Sequence, residues 1–198
     1  MRILRATDYK VMPWKNGLGA TTEIAVSPES DGLDNFAWRV SMAQVSSDGP
    51  FSSFPDIDRT LLVLAGQGMV LEVDGQPPAT LTQASPPYAF AGDATTSARL
   101  VDGAIVDLNV MVRRGLVRAY VERFDLAAPQ RFSTTGVRLL FVQTGKLNAQ
   151  SVAHYETLTT NDTLLFDALV PSLIVGPSVA TTLISIELAF GSPHADRF

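Results

Sequence analysis

The feature that most constrains this chain is a series of short apolar runs separated by Gly, Pro and Asp. Few stretches keep a helical i, i+3, i+4, i+7 spacing for ten or more residues, whereas strand-like runs rich in Val, Leu, Ile, Phe and Thr recur throughout. These runs cover residues 23–26, 37–45, 60–64, 69–73, 99–101, 105–112, 117–124, 137–142, 163–166, 173–175 and 182–190. The pattern predicts an all-β sandwich or barrel.

Composition excludes several classes of protein. The 198 residues include no cysteine, which rules out disulfides, thiolate metal centres and cysteine nucleophiles. No window contains the ~20 apolar residues of a membrane span, and residues 1–9 lack the apolar core of a signal peptide. We therefore expect a cytoplasmic protein with no membrane partner. The charge of -5 is dispersed, and one small cluster of arginines, Arg113, Arg114 and Arg118, does not suggest a nucleic-acid partner.

A faint internal repeat suggests two similar halves. The pattern R-x-L-x-V-x-x-G occurs at residues 59–66 and again at residues 138–145. A phenylalanine precedes a polar strand residue by 19 or 21 positions in the two copies, at Phe90 and Asn109 and at Phe166 and Glu187. Any two antiparallel β modules could share such features, so this alternative stays open.

We interpret the repeat as two β-barrel halves. The polar, unpatterned segment 125–135 is the best candidate for a connection between them. The predicted domains are residues 1–124 and residues 125–198, with strands exchanged between the halves or with both packed as one compact unit.

A glycine-rich segment, residues 12–24, carries many functional residue types. It offers a cation, an amide, hydroxyls and a carboxylate, at Lys15, Asn16, Thr21, Thr22 and Glu23. Its spacing does not match the nucleotide P-loop, G-x-x-x-x-G-K-[ST]. The segment either contributes to a binding site or caps one end of a barrel.

Two predicted strands alternate polar and apolar residues. The two-residue period places Arg39 and Ser41 on one face of the first strand, and Asp107 and Asn109 on one face of the second. These four side chains either line a small hydrated cavity or face solvent. Arg39 needs a partner in so apolar a strand, and a protein carboxylate or a ligand anion would serve equally well.

Arg59 directly precedes the apolar run 60–64 and has three possible roles. It could pair with Asp58, pair with Asp107, or point into the cavity. We favour an ion pair slightly.

The two histidines, His154 and His194, have no neighbouring ligands at metal-binding spacing. We therefore expect no metal site.

Six motifs resemble the HutD/Ves family of bacterial cupin-like proteins. They are Met12-Pro-Trp-Lys-Asn-Gly17, Thr22-Glu-Ile24, Trp38-Arg-Val-Ser41, Asp48-Gly-Pro-Phe-Ser52, Ile57-Asp-Arg59 and Asp107-x-Asn109-x-Met111-x-Arg113-x-Gly115. The resemblance implies a bicupin (RmlC-like) fold, with two small β-barrels in one chain. It also implies a role in histidine utilisation, as a regulator that binds a pathway intermediate.

The resemblance further implies which residues form the pocket. They are Lys15, Asn16, Arg39, Arg59 and Asn109, with Thr22, Glu23, Ser41 and Asp107 beside them. Cupins usually carry a histidine-rich metal motif, but residues 54–69 contain no histidine. We therefore expect no metal and no cofactor. The expected partner is a small anionic metabolite such as formylglutamate or urocanate, held by charge-assisted hydrogen bonds.

Three hypotheses of function follow. The first, which we favour, is a metal-independent sensor of a small carboxylate. The second is a metal-free enzyme in which Lys15, Glu23 or Asp107 acts as a general acid or base on a small organic acid. The third is a protein-interaction scaffold. Exposed strand edges would also be compatible with a homodimer.

Overall fold

The computed structural model describes residues 1–15, 17–28, 35–151, 155–170 and 172–191. The described residues form strands and one 3₁₀ turn, Ala6–Asp8. In chain order the strands are β1 Arg2–Leu4, β2 Lys10–Pro13, β3 Gly19–Ser27, β4 Trp38–Val45, β5 Gly49–Pro50, β6 Ile57–Ala65, β7 Met69–Val73, β8 Ala79–Leu81, β9 Tyr88–Ala91, β10 Thr96–Leu100, β11 Ile105–Arg113, β12 Val117–Leu126, β13 Gln130–Phe132, β14 Val137–Thr144, β15 Lys146–Gln150, β16 Tyr155–Thr159, β17 Thr163–Asp167, β18 Leu173–Pro177 and β19 Thr181–Phe190. The predicted all-β class is confirmed. No helix among the described residues is long and apolar enough to cross a membrane.

The chain divides into two compact units. The first unit is Lys10–Val117, and the second unit combines Met1–Tyr9 with the residues from Arg118 onward. The sequence predicted a boundary between residues 124 and 125, whereas the boundary between the two units lies between Val117 and Arg118, at the start of β12. The N-terminal strand β1 belongs to the second unit because it pairs antiparallel with β17.

The first unit consists of two sheets. One has six strands in the order β2-β3-β4-β11-β6-β9, and the other has four in the order β5-β10-β7-β8. Apolar side chains that alternate along these strands form the core, including Leu61, Met69, Leu71, Phe90 and Ile105. This alternation is what a sheet with one face on a core requires.

The second unit also consists of two sheets. They have the strand orders β1-β17-β14-β19-β12 and β13-β18-β15-β16. Its core includes Leu140, Leu164, Phe166, Leu173 and Leu183, each buried completely. Each unit thus consists of two packed antiparallel sheets.

The strand registers show that the two units repeat the same structure. Arg59 lies opposite Phe90 in the first unit, and Arg138 lies opposite Phe166 in the second. The register of β6 against β11 shifts at Val106/Asp107, and the register of β14 against β19 shifts at Val142/Thr144. Counted from the repeated arginines, these shifts fall at the same position, so the repeat seen in the sequence is structural.

The registers correct one correspondence within that repeat. Leu61 lies opposite Asn109, and its counterpart Leu140 lies opposite Ser185. Asn109 therefore corresponds to Ser185 and not to Glu187, as the spacing had suggested. Glu187 lies opposite Arg138, at the position that Met111 occupies opposite Arg59 in the first unit. A two-residue offset keeps a side chain on the same face of a strand, which is why spacing alone did not reveal the difference.

Candidate functional site

Three adjacent strands of the six-stranded sheet arrange the candidate residues in three rows. Because β11 pairs with both β4 and β6, each row has one residue from each strand. The arginine row is Arg39, Met111 and Arg59; the middle row is Ser41, Asn109 and Leu61; the aspartate row is Ala43, Asp107 and Val63. Side chains of alternate residues share a face, so the three rows point to the same side of the sheet.

These rows face a cavity of about 450 Å³ in the first unit. Six of the predicted site residues line it: Lys15, Arg39, Ser41, Arg59, Asp107 and Asn109. The wall also contains Trp14, Leu18, Thr21, Phe51 and Phe54. Lys15 is exposed, whereas Arg39, Ser41, Arg59 and Asp107 are buried. The cavity is large enough for a small organic ligand and combines an apolar wall with a few convergent polar groups.

Arg39 meets a carboxylate of the protein. Its Nε donates a hydrogen bond to Oε2 of Glu23 at 2.7 Å. Its Nη2, however, is buried and has no hydrogen-bond partner among the described residues. The sequence left a structural ion pair and a ligand clamp open; Arg39 forms the ion pair and still has a donor to offer.

Arg59 has neutral partners. Its Nε donates to Oδ1 of Asn109 at 3.4 Å, and its Nη1 donates to the carbonyl oxygen of Ser52 at 3.3 Å. The guanidinium carbon lies 4.9 Å, 5.7 Å and 5.1 Å from the ring centroids of Phe51, Phe54 and Phe90. Aromatic faces stabilise a cation without neutralising it.

The ion pair that the sequence favoured for Arg59 does not form. Asp58 instead accepts a hydrogen bond from Nε of Arg114 at 2.8 Å, and Arg114 also pairs with Asp93 at 3.0 Å. The two-residue period explains this outcome, because neighbouring residues of β6 point to opposite faces of the sheet. Burial lowers the pKa of Arg59 to about 10, so it remains a cation at neutral pH.

The corresponding arginine of the second unit has a carboxylate. Arg138 donates from Nη2 to Glu187, from Nη1 to Oγ of Ser185 at 2.8 Å and from Nε to the carbonyl oxygen of Ser133 at 3.1 Å. Its guanidinium carbon lies 6.0 Å from the ring centroid of Phe132. The serine carbonyl, the phenylalanine and the polar residue of β19 repeat the surroundings of Arg59. The carboxylate is what the first unit lacks, because Met111 stands where Glu187 stands in the second.

Asp107 is a buried carboxyl without a full set of partners. It is 1% exposed, and its Oδ1 has no hydrogen-bond partner in the described part of the chain. Burial raises the pKa of Asp107 to about 7, while the positive charge of Arg59 opposes this rise. Near neutral pH the group can therefore accept or release a proton.

Two of the predicted residues have other positions. Glu23 is not part of the cavity wall but pairs with Arg39. Thr22 is also absent from the wall, which contains Thr21 instead. Thr21 and Glu23 share a face of β3, so the strand period would have identified Thr21 as the residue beside the cavity. Asn16 lies outside the described residues.

Trp14 and Phe51 are residues of the wall that sequence reasoning did not select. Trp14 donates from Nε1 to Oγ1 of Thr21 at 2.9 Å, which fixes its ring at the cavity. Phe51 lies against Arg59. Both residues belong to motifs of the family resemblance, and only those motifs indicated that they could be part of a site.

Among the described residues no group of three His, Cys, Asp or Glu side chains could hold a metal ion. His154 and His194 lie outside the described residues, so their surroundings are not described.

Comparison with known proteins gives consistent matches. The sequence model of the HutD family matches residues 6–175. A Pseudomonas putida protein described as an uncharacterized 21.2 kDa protein in the hutC 3' region is 41% identical over 141 residues, which are 71% of this chain and 73% of that protein.

Solved structures agree. The conserved protein of unknown function PA5104 from Pseudomonas aeruginosa PAO1 has a TM-score of 0.87 and 36% identity, covering 94% of this chain and 97% of its own. HutD from Pseudomonas fluorescens SBW25, in a structure titled as a formate condition, has a TM-score of 0.79 and 34% identity, covering 95% and 98%. Cupin-like structures at 8 to 10% identity share the fold alone. The architecture, the motifs and these matches agree that the chain belongs to the HutD family.

Proposed function

We propose that the first unit binds a small carboxylate in its cavity without a metal ion, and that Arg59 is the main anchor. In this proposal the protein is a cytoplasmic regulator of histidine utilisation that senses a pathway intermediate such as formylglutamate or urocanate.

One observation carries this proposal. Arg59 is buried at the cavity and has only neutral hydrogen-bond partners, whereas its counterpart Arg138 binds the carboxylate of Glu187. A buried guanidinium is strongly stabilised by an anion that it can bind through two N–H groups. A ligand carboxylate beside Met111 would give Arg59 the partner that Glu187 gives Arg138.

The charge of the cavity supports an anionic ligand. Arg39 and Glu23 neutralise each other, which leaves Arg59 and the exposed Lys15 as cations that form no ion pair among the described residues, although the charge of Asp107 also acts on Arg59. The buried Nη2 of Arg39 offers one more donor. The buried guanidinium group of Arg59 would repel a bound metal cation and attract a carboxylate.

The relatives support the biological setting. One relative is described by its position in a hutC 3' region, and a second bears the name HutD in a structure titled as a formate condition. Formate is a carboxylate, and the family resemblance associates such proteins with histidine utilisation.

The proposal is tested by calorimetric titration of the purified protein with formate, L-glutamate, urocanate and N-formyl-L-glutamate, with a chelator present throughout. We expect saturable binding of one of these carboxylates that does not change when the chelator is omitted. The proposal would be contradicted if none of them bound, or if binding required an added metal ion.

The position and the pKa of Asp107 support a second candidate function, in which the protein is a metal-free enzyme. A carboxyl with a pKa near 7 in a cavity beside an arginine is suited to general acid or base catalysis. This candidate predicts turnover of the bound carboxylate that is lost in Asp107→Asn. A ligand recovered unchanged after prolonged incubation with the protein would exclude it for that compound.

A further inference from the structure

The cavity has a cationic side and an acidic side. The arginine row provides the guanidinium groups of Arg39 and Arg59, and the aspartate row provides Asp107. Among the described residues no ion pair joins Asp107 to either arginine. Since the arginines and the carboxyl do not satisfy each other, the cavity presents donors on one side and a free acceptor on the other.

No side chain or backbone group among the described residues donates a hydrogen bond to Oδ1 of Asp107. Its neighbours in the aspartate row, Ala43 and Val63, have apolar side chains. The hydroxyl of Thr21, the next residue along the same row, accepts the indole N–H of Trp14. A buried acceptor that lacks a donor destabilises the folded protein, so a ligand donor placed there would be strongly favoured.

The distance between the two sides is short. Asp107 and Asn109 are two residues apart on β11, roughly 7 Å along a strand. The Nε of Arg59 lies 3.4 Å from Oδ1 of Asn109, so its guanidinium extends from the arginine row to the middle row. A ligand that spans both sides therefore needs a donor only a few bonds from its carboxylate.

The charges distinguish between kinds of donor. An ammonium group beside Asp107 would also lie near the cations Arg59 and Lys15, whose repulsion would offset its attraction to the carboxylate. A neutral N–H of an amide or a heteroaromatic ring avoids that cost and still donates to a carboxylate.

We infer that the ligand combines a carboxylate with a neutral N–H group, and that Asp107 selects it by accepting a hydrogen bond from that N–H. This inference rests on the proposed function, since it assigns the second half of the same ligand. Asp107 is a specificity-determining residue, separate from the arginine anchor.

The test compares two ligands that differ at one atom. N-formyl-L-glutamate has an amide N–H, and its ester isostere has an oxygen in place of that N–H. Calorimetric titration at pH 8 measures the affinity of the intact protein for both compounds. We expect the wild type to prefer the amide by about tenfold or more, as for a hydrogen bond to a charged group. L-glutamate, with an ammonium group, should bind more weakly than the amide.

Variants then assign the preference to one side chain. Asp107→Leu, which removes the acceptor among apolar neighbours, should reduce the preference to less than about twofold while retaining the affinity for the ester. Asp107→Asn keeps one acceptor oxygen and should retain part of the preference. Asp58→Asn is the control, because Asp58 does not line the cavity and its Oδ1 accepts the Nε–H of Arg114 at 2.8 Å, and it should leave the preference unchanged.

The outcomes separate this inference from the proposed function. Equal affinity of the wild type for amide and ester, or an unchanged preference in Asp107→Leu, would overturn the role of Asp107. If both compounds still required Arg59 in that case, carboxylate binding would stand. If neither compound bound, this inference would be overturned, whereas the proposed function would be contradicted only if formate, L-glutamate and urocanate also failed to bind.

Discussion

At the scale of single residues, the two buried arginines of the cavity differ in their partners. Arg39 has a carboxylate, and Arg59 has an amide oxygen, a carbonyl oxygen and three aromatic rings. The account therefore assigns ligand anchoring mainly to Arg59. Removing a buried charge that lacks an anion costs the folded protein little, because its desolvation penalty is removed with it.

The variant Arg59→Met tests this assignment. We expect the affinity for the carboxylate to fall by about tenfold or more, because charge-assisted hydrogen bonds are lost. The melting temperature should be retained or raised. Titration calorimetry and thermal unfolding measure both quantities. Arg114→Met is the control, since Arg114 forms an exposed ion-pair cluster with Asp58 and Asp93, and it should leave the affinity unchanged. Unchanged affinity in Arg59→Met would contradict the assignment.

Asp107 makes stability depend on pH in an unusual direction. An unfolded aspartate releases its proton near pH 3.8, whereas folded Asp107 retains it up to about pH 7. Unfolding between these values releases a proton, so raising the pH favours the unfolded state. The stabilisation of the folded state by protonated Asp107 is present below about pH 4 and is lost as the pH rises to 7. Over this range the free energy of unfolding falls by up to about 1.4 kcal/mol per pH unit.

Asp107→Asn removes this titration. The free energy of unfolding of the variant, minus that of the wild type, should rise steadily between pH 4 and pH 7 and stay constant above pH 8. Urea unfolding at a series of pH values measures it. The other charged groups at the cavity are common to both proteins: Lys15, Glu23, Arg39, Asp48 and Arg59. A difference that did not vary with pH would show that Asp107 has an ordinary pKa.

At the scale of strands, β6 and β14 are each followed directly by a glycine, at corresponding positions. At both glycines the chain lies close to a neighbouring backbone. Gly66 has φ +89°, and a Cβ there would lie 2.6 Å from the carbonyl oxygen of Ala104. Gly145 has φ +94°, and its Cβ would overlap the carbonyl oxygen of Ala180. Both the positive φ and the close approach exclude a side chain at these positions.

Substitution at these glycines should therefore be costly. We expect Gly66→Ala and Gly145→Ala each to lower the free energy of unfolding by more than about 2 kcal/mol, because backbone strain and a steric contact add. Gly75→Ala is the control, since Gly75 has φ +77° but open space around its Cβ, and it should cost only about 1 kcal/mol. Equal losses at all three positions, measured by urea unfolding, would show that the close approach has no effect.

The two-residue period of the strands predicted which side chains share the cavity face. It did not predict the hydrogen-bond partners of the two arginines. It placed Arg39 with Ser41 and Asp107 with Asn109 on common faces, and all four line the cavity. It could not show which acceptor each arginine meets, because partners on other strands depend on register. Strands of three residues, such as β8 and β13, were not predicted, since they are too short to display a period.

At the scale of the whole chain, the repeated motif in the sequence corresponds to two units with matching registers. The boundary could not be read from composition, because the units meet at the start of the continuous strand β12 and not in the polar segment 125–135. The position of the N-terminal residues was also not predictable, since the pairing of β1 with β17 joins segments far apart in the sequence.

The repeat also explains how the same arginine position can have a carboxylate partner in one unit and lack it in the other. The second unit binds its own carboxylate, Glu187, at the repeated arginine. The first unit has Met111 at that position, beside an open cavity. The central claim is that a ligand carboxylate takes the place of the missing glutamate.

The most direct measurement of this claim transfers the internal carboxylate to the first unit. Met111→Glu should pair with Arg59 and lower the affinity for the tightest-binding carboxylate of the panel by about tenfold or more. Met111→Gln, of similar size but neutral, should retain most of that affinity. Titration calorimetry on both variants, with thermal unfolding to verify folding, decides the matter: selective loss in Met111→Glu is the predicted result, and equal affinity of the folded Glu and Gln variants would contradict the account.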